Sequence, residues 1–280
     1  MRIIREGVVE RASVPRAFVP TMGSLHEGHR ALMQEARKRV GERGEVVVSV
    51  FVNPTQFGAG EDFDAYPRDL DADIRVCEDE GADILFAPSV SGIYGELTLR
   101  AEPKVTVDPG PLGAQWEGVE RPGHFTGVLT VVSILFHKVA ADIAMFGQKD
   151  YQQLVLVERM SRELAFGIEI IGVPTIRDQD GLALSSRNVY LDNEQRRRAA
   201  AIPQALEAAR QKASQGAGQA IDAARLVLVE SGLDVDYVDV CAPDLGPAPT
   251  DGAARLLIAA RVGPVRLIDN CELTLGRTVL

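Results

Sequence analysis

Two of the chain's four histidines stand three residues apart, His26 and His29, within Pro20-Thr21-Met22-Gly23-Ser24-Leu25-His26-Glu27-Gly28-His29. A short apolar run, Ala17-Phe18-Val19, precedes them, and residues with helical spacing follow. Three residues is close to one helical turn, so both imidazoles can face the same side. A helix N-terminus at the end of a buried strand offers unpaired N–H groups and the positive end of the helix dipole, which suits a phosphate. Gly28 would let a nucleotide ring or ribose approach the backbone between the histidines. Taken alone, the same pattern fits two capping or surface histidines, or a metal pair, although no third ligand is evident nearby.

Three further polar clusters follow apolar runs. Gly147-Gln148-Lys149-Asp150-Tyr151-Gln152-Gln153 carries one of only five lysines in the chain. Lys149 can meet phosphate oxygens as a compact point charge. Asp150 can cap a helix or hold a ribose hydroxyl, and Gln153 can present an amide to a polar substrate. In Asp180-Gly181-Leu182-Ala183-Leu184-Ser185-Ser186-Arg187-Asn188, two hydroxyls and a guanidinium after a glycine turn make a compact donor set for a polyphosphate. In Phe51-Val52-Asn53-Pro54-Thr55-Gln56-Phe57, Asn53 and Gln56 can hydrogen-bond a small polar substrate. Each cluster has an ordinary reading as a cap or a turn. Four of them at successive strand ends point to one site, because a parallel sheet gathers its strand ends.

The elements that must position these residues alternate. The pattern predicts strands at 17–19, 45–52, 83–87, near Val105, 142–146 and 168–173. It predicts helices at 27–40, 69–81, 125–139 and 151–164. Leu32, Ala36 and Val40 mark the buried stripe of the first helix, and the valine-rich run 45–52 reads as a strand covered on both faces. Such alternation implies an α/β fold with a doubly wound, mostly parallel sheet. After Pro174 the character changes to helices at 193–213 and 219–231 and strands at 235–240, 254–260 and 265–267, a smaller α+β unit.

With 280 residues, the chain makes one large domain or two modest ones. A hydrophobic share of 46% with 25% charged residues is that of a globular protein. A net charge of −10 argues against extended nucleic-acid or anionic-membrane binding, though not against a small anionic substrate met by a local cluster of donors. No apolar run is long enough to span a bilayer, and the N-terminus lacks the features of a signal peptide, so a cytoplasmic location is expected. Cys77, Cys241 and Cys271 are odd in number, widely spaced and without a CxxC, and read as buried reduced thiols.

Together the segments PTMGSLHEGH, FVNPTQF, RPGHFTGV, FGQKDYQQL, GVPTIR and DGLALSSRN resemble the pantothenate synthetases, or pantoate–β-alanine ligases, of the HIGH-motif nucleotidyltransferase superfamily. HxGH alone would indicate the superfamily; FVNPTQF, GQKDYQQ and LSSRN are specific to the family. The resemblance implies a Rossmann-like nucleotide- and pantoate-binding domain over residues 1–175 and a smaller C-terminal lid domain over residues 176–280. It implies a homodimer acting on ATP, pantoate and β-alanine with Mg2+, through a pantoyl adenylate, with release of pyrophosphate and then AMP. His26 and His29 would contact the ATP phosphates, with Lys149, Ser185, Ser186 and Arg187 stabilising charge. Met22, Gly23, Ser24, Leu25, Glu27, Gly28, Gly147, Gln148, Asp150, Ile176 and Leu184 would line the nucleotide. Gln56, Gln153, Met22, Asn53 and Arg121 would hold pantoate, with Gln56 also near β-alanine and His124 in the pocket. Magnesium would sit chiefly on ATP phosphates, with Asp71 and Asp73 as helpers. Gly58–Tyr66 suits a mobile lid over the labile acyl adenylate, and His137 is structural. Gln148 stands where many members have glutamate and Leu184 where many have methionine; neither removes a required group. A simple nucleotidyltransferase of the same superfamily would instead need contacts for a phosphorylated acceptor.

Overall fold

The computed structural model describes residues 1–58, 60–95, 103 and 105–276. Contacts divide the chain into two compact units, residues 1–148 with 152–174, and residues 149–151 with 175–280.

In the first unit, β1 (Arg2–Ile4), β2 (Arg16–Thr21), β3 (Glu45–Val50), β4 (Ile84–Phe86), β5 (Ile143–Gly147) and β6 (Glu169–Val173) form a parallel sheet in the order β1-β4-β3-β2-β5-β6. β2 pairs with β3 from Arg16↔Glu45 to Thr21↔Val50, and on its other edge with β5 through Ala17↔Ile143 and Phe18↔Ala144. The chain therefore winds outward from β2 in one direction and resumes at β5 in the other. The switch point, where open α/β sheets bind ligands, lies between β2 and β5. The residues after these two strands are the His26/His29 segment and the segment that opens with Gln148.

The pattern that builds this sheet is the β-branched and small apolar content of its central strands, covered on both faces. On one face Ala17, Val19, Val46, Val48 and Met145 pack with Met33 and Ala36 of helix α1 (Glu27–Val40). Phe18, pointing the opposite way along the same strand, meets Phe136 edge to face at 6.4 Å. The intervening helices are α2 (Leu70–Asp79), α3 (Val90–Tyr94), α4 (Glu117–Glu120), α5 (His124–Val139) and α6 (Tyr151–Glu163). At the opposite end of β2 from the histidines, the fully buried Arg16 bonds Glu45 (Nη2–Oε2 2.6 Å) and the carbonyls of Val139 and Glu10 (2.6 Å each).

In the second unit, β7 (Asp234–Cys241), β8 (Gly252–Val262) and β9 (Val265–Leu275) form an antiparallel sheet. Its core includes Ile202, Ala205, Leu206 and Ala209 with Ala220, Ala224 and Leu228. β8 and β9 run longer than expected. They are joined by a two-residue turn whose first residue, Gly263, has φ +60°, a conformation that favours glycine.

Two further expectations are corrected, and one strand was not foreseen. The helix predicted over 193–213 is broken into α7 (Asn193–Ala199) and α8 (Ala201–Lys212), followed by a short 3₁₀ turn; α9 spans Ala217–Glu230. Pro203, in the first turn of α8, has no N–H to give the carbonyl of Ala199, so one continuous helix would lose a bond there. No strand occurs near Val105 among the described residues; Val105 is exposed, and 96–102 and 104 lie outside them. β1, a three-residue edge strand, was too short for periodicity to reveal. The three cysteines are buried, and burial raises the thiols of Cys77 and Cys241 to about 12. No helix among the described residues is long and apolar enough to cross a membrane.

Candidate active site

The β2–α1 turn is built from two consecutive residues with positive φ, Gly23 (+83°) and Ser24 (+52°), which lift the chain off the strand end. Asp73, near the start of α2, accepts the N–H of Ser24 (3.2 Å) and of Leu25 (2.8 Å). A side chain at Gly23 would place Cβ 2.7 Å from the Asp73 Oδ2. Burial raises the Asp73 carboxyl above its ordinary range, against the effect of those two N–H bonds. Asp71 is exposed.

His26 is the N-cap of α1, and the two histidines form a reciprocal cap. His26 Nδ1 accepts the N–H of Gly28 (3.1 Å), and His29 Nδ1 accepts the N–H of His26 (3.2 Å). An acceptor nitrogen carries no proton, so each neutral ring holds its proton on Nε2. The rings lie 4.1 Å apart between centroids. The pair thus places two Nε2–H groups beside a helix N-terminus, whose dipole suits an anion. A Cβ at Gly28 would lie 2.8 Å from His26 Cε1, so glycine at this position leaves room for the His26 ring.

After β3, Asn53 caps a 3₁₀ turn, Pro54–Gln56. Asn53 is 1% exposed, accepts the Tyr94 hydroxyl (2.6 Å), and donates to Gln56 Oε1 (3.0 Å) and the Gly127 carbonyl (3.2 Å). It therefore orients Gln56, whose Nε2 donates to Met22 Sδ at 3.1 Å. Helix α5 comes close enough for this because residue 127 is glycine; a Cβ there would meet the Thr55 oxygen at 2.4 Å.

Arg121 and His124 complete the group. Arg121 binds Glu61 through two parallel bonds (2.9 and 2.7 Å), donates to the Gln56 carbonyl (3.3 Å), and reaches His124 Nε2 (3.1 Å). Burial opposes the charge of Glu61, but the Arg121 bonds and charge prevail and hold its carboxyl below the usual value. His124 Nδ1 lies 2.9 Å from the Gln56 carbonyl. A carbonyl only accepts and a guanidinium only donates, so the neutral ring has its proton on Nδ1 and an acceptor at Nε2. Burial, then Arg121, lowers the His124 pKa to about 4. The 58–66 segment, of which Ala59 lies outside the described residues, packs Phe63 and Tyr66 against Phe57 (5.3 and 5.9 Å).

Met22, Asn53, Gln56, Arg121 and His124 are thus brought together in the first unit. The two glutamines at the start of α6 part ways. Gln152 is buried and bonds the backbone of Leu112, Gln115 and Glu117, whereas Gln153 is half-buried. His137 packs against Phe166 with ring centroids 5.2 Å apart, outside this cluster.

In the second unit, Ile176 and Leu184 close a hairpin through Leu184 N–H to the Ile176 carbonyl (3.0 Å), with Arg177 bridged to Ala183. Ser185 caps the following 3₁₀ turn, its Oγ accepting from Arg187 N–H (3.3 Å). Lys149 lies in a 3₁₀ turn of its own, 3.5 Å from the Asp150 carboxylate. The residues that sequence reasoning missed here, Arg255, Asp269 and Asn270, tie these segments; apolar neighbours in β8 and β9 hid them.

A family model described as pantoate-beta-alanine ligase matches residues 2–272. A pantothenate synthetase from a Nocardioides species is 57% identical over 267 residues, covering 92% of this chain and 79% of the relative. A Thermus thermophilus pantothenate synthetase structure aligns at TM-score 0.88 with 46% identity, covering 97% of this chain and 99% of that one. A Francisella tularensis pantoate-beta-alanine ligase, solved in complex with beta-gamma ATP and β-alanine, aligns at TM-score 0.78 with 32% identity and 97% of each chain. On this match over nearly its whole length, the chain belongs to the pantoate–β-alanine ligase family.

Proposed function

We propose that this ligase joins pantoate to β-alanine in two steps. A pantoate carboxylate oxygen attacks the α-phosphorus of ATP, the bond to the β-phosphate bridging oxygen breaks, and pyrophosphate leaves. The β-alanine amine then attacks the acyl carbon of pantoyl adenylate, loses a proton, and expels AMP. The observation that carries the reading is the reciprocal histidine cap, in which both Nδ1 atoms accept backbone N–H groups at a helix N-terminus, so that each ring's proton is on Nε2. The ATP and β-alanine in the Francisella tularensis complex support the substrate assignment.

The first step brings a carboxylate to a polyanion, so donors fixed in advance on the phosphate oxygens lower its barrier most. His26 and His29 supply them, with the His29 Nε2–H as hydrogen-bond donor to the leaving pyrophosphate, and Lys149, Ser185, Ser186 and Arg187 neutralise the remaining charge. The family resemblance assigns Met22–His29, Gly147–Asp150, Ile176 and Leu184 to the nucleotide. Gln56 and Gln153 grip pantoate, with Met22 and Arg121 beside them; Asn53 acts by holding Gln56, which also faces β-alanine. Among the described residues no three His, Cys, Asp or Glu side chains are placed to hold a metal ion, and Asp73 is occupied by two backbone N–H groups. This donor set fits a magnesium ion held by ATP phosphates and water, where it would neutralise phosphate charge. A homodimer and cytoplasmic residence belong to the same reading, on the family resemblance.

The test is AMP release from ATP with pantoate and β-alanine supplied singly and together. Sustained AMP production should require both. Pyrophosphate release toward a phosphorylated acceptor would replace the ligase by a nucleotidyltransferase.

A further inference from the structure

In mid-β9 two polar residues, Asp269 and Asn270, are 3% and 4% exposed, and Arg255 on β8 is 5% exposed. Burying an arginine and an aspartate in a small sheet carries a desolvation penalty, and apolar residues of similar volume commonly stabilise a fold as well or better. The polar choice thus needs a reason other than stability, and the bonds supply one. Asn270 Oδ1 accepts both Nε and Nη2 of Arg255 (2.9 and 2.5 Å), and the Arg255 guanidinium lies 3.8 Å over the Tyr151 ring. With its oxygen so fixed, the Asn270 amide has one orientation, and its Nδ2 donates to the backbone carbonyl of Lys149 at 2.9 Å. The neighbouring Asp269 binds Arg177 through two bonds (2.6 and 2.9 Å), and Arg177 in turn bonds the Gly181 carbonyl (3.0 Å) within the Ile176–Leu184 hairpin. Asn270 N–H donates back to Asp269 Oδ1 (2.8 Å).

We propose that Asn270 is a positioning residue for ATP, acting through Lys149. It anchors the Lys149 carbonyl, Arg255 locks the Asn270 amide and clamps Tyr151 on the other side of the turn, and Asp269 fixes the adjacent hairpin from the same strand. The Lys149 ammonium then projects from a backbone held at its carbonyl. The proposal rests on the phosphate role given to Lys149 above.

Asn270→Asp separates this role from a structural one. It keeps an oxygen for Arg255 and keeps the side-chain volume, but replaces the donor toward Lys149 by an oxygen that repels the carbonyl. Calorimetric ATP binding should weaken about tenfold, with the pantoate KM within about twofold of wild type, since the loss is of one buried hydrogen bond and the group it aims. In the double variant with Lys149→Ala, ATP binding should be no weaker than in Lys149→Ala alone, because residues acting through one another are not additive. Multiplying losses in the double variant, or a lowered Tm with unchanged ATP binding, would overturn the proposal. Lys149→Ala that binds ATP and turns over like wild type removes the Lys149 assignment and the proposal together. A wild-type protein that binds ATP yet forms no pantothenate refutes the ligase reading instead, while the binding cycle still decides whether Asn270 acts through Lys149.

Discussion

His124 should make the first unit sensitive to mild acid. Its folded pKa of about 4 lies below the ordinary 6.5, because burial and Arg121 disfavour the imidazolium. A position at the first turn of α5, near the positive end of a helix dipole, acts the same way. The sign follows from proton uptake. Above pH 6.5 neither folded nor unfolded chain protonates this ring, so its neutral bonds to Gln56 and Arg121 contribute fully. As pH falls below 6.5 the unfolded chain takes up a proton that the folded ring refuses, and stability declines until the folded ring titrates near pH 4. Integrating that difference gives a loss of about 2 kcal/mol between pH 8 and pH 5, approaching about 3 kcal/mol below pH 4. Glu61 and Asp142, both held below their ordinary range, also lose their contributions as pH falls through their folded pKa values, so the wild-type slope alone is not diagnostic. The comparison is with His124→Asn, which keeps an amide donor near the Gln56 carbonyl but cannot titrate. Urea unfolding followed by the fluorescence of Trp116, the chain's one tryptophan, reports on the first unit. The variant should lose about 2 kcal/mol less than wild type between pH 8 and pH 5. Equal losses would refute the neutral, buried assignment.

Gly28→Ala would force a Cβ to within 2.8 Å of the His26 ring. Displacing that ring breaks the reciprocal cap, so adenylate formation should fall about a hundredfold while Tm drops by only a few degrees; stopped-flow pyrophosphate release checks it. Gln152→Ala and Gln153→Ala should differ in kind. The first strands backbone groups at 112–117 and should cost about 2 kcal/mol in urea unfolding, whereas the second should leave stability alone and raise the pantoate KM. Arg16→Ala leaves Glu45 and two carbonyls without their buried partner, and should cost about 3–5 kcal/mol in chemical unfolding with little change in KM for the folded fraction.

Much of the first unit was legible because its burial follows two plain patterns. Helix 27–40 shows an apolar stripe at helical spacing and strand 45–50 an unbroken valine-rich run, and the polar residues that break the pattern after β2, β3 and β5 stand out against it. The break at residue 200 was legible too, in Pro203, but the alanine-rich flanks of that proline favour helix strongly enough to mask it. β1 escaped because three residues carry no period. The length of β9 escaped for another reason: Asp269 and Asn270 interrupt its apolar run, and sequence spacing treats a buried polar pair as the end of a strand.

That last miss bears on how such a site is built. Spacing reports whether a side chain is buried, not what it meets, so it picks out the groups exposed at strand ends and overlooks the buried polar groups that hold them. Asn53 and Asn270 show the same device in the two units. Each is nearly inaccessible, and each has its amide orientation fixed by a strong partner, the Tyr94 hydroxyl in one case and Arg255 in the other. Each then passes a single bond to a residue with a proposed substrate role, Gln56 or Lys149. An asparagine suits the task because it carries a donor and an acceptor on one rigid plane, so fixing the acceptor aims the donor. Aspartate would lose the donor and leucine both. Small polar residues inside otherwise apolar strands are therefore where positioning of the reactive groups is encoded, and conservative substitution there should cost affinity before it costs stability.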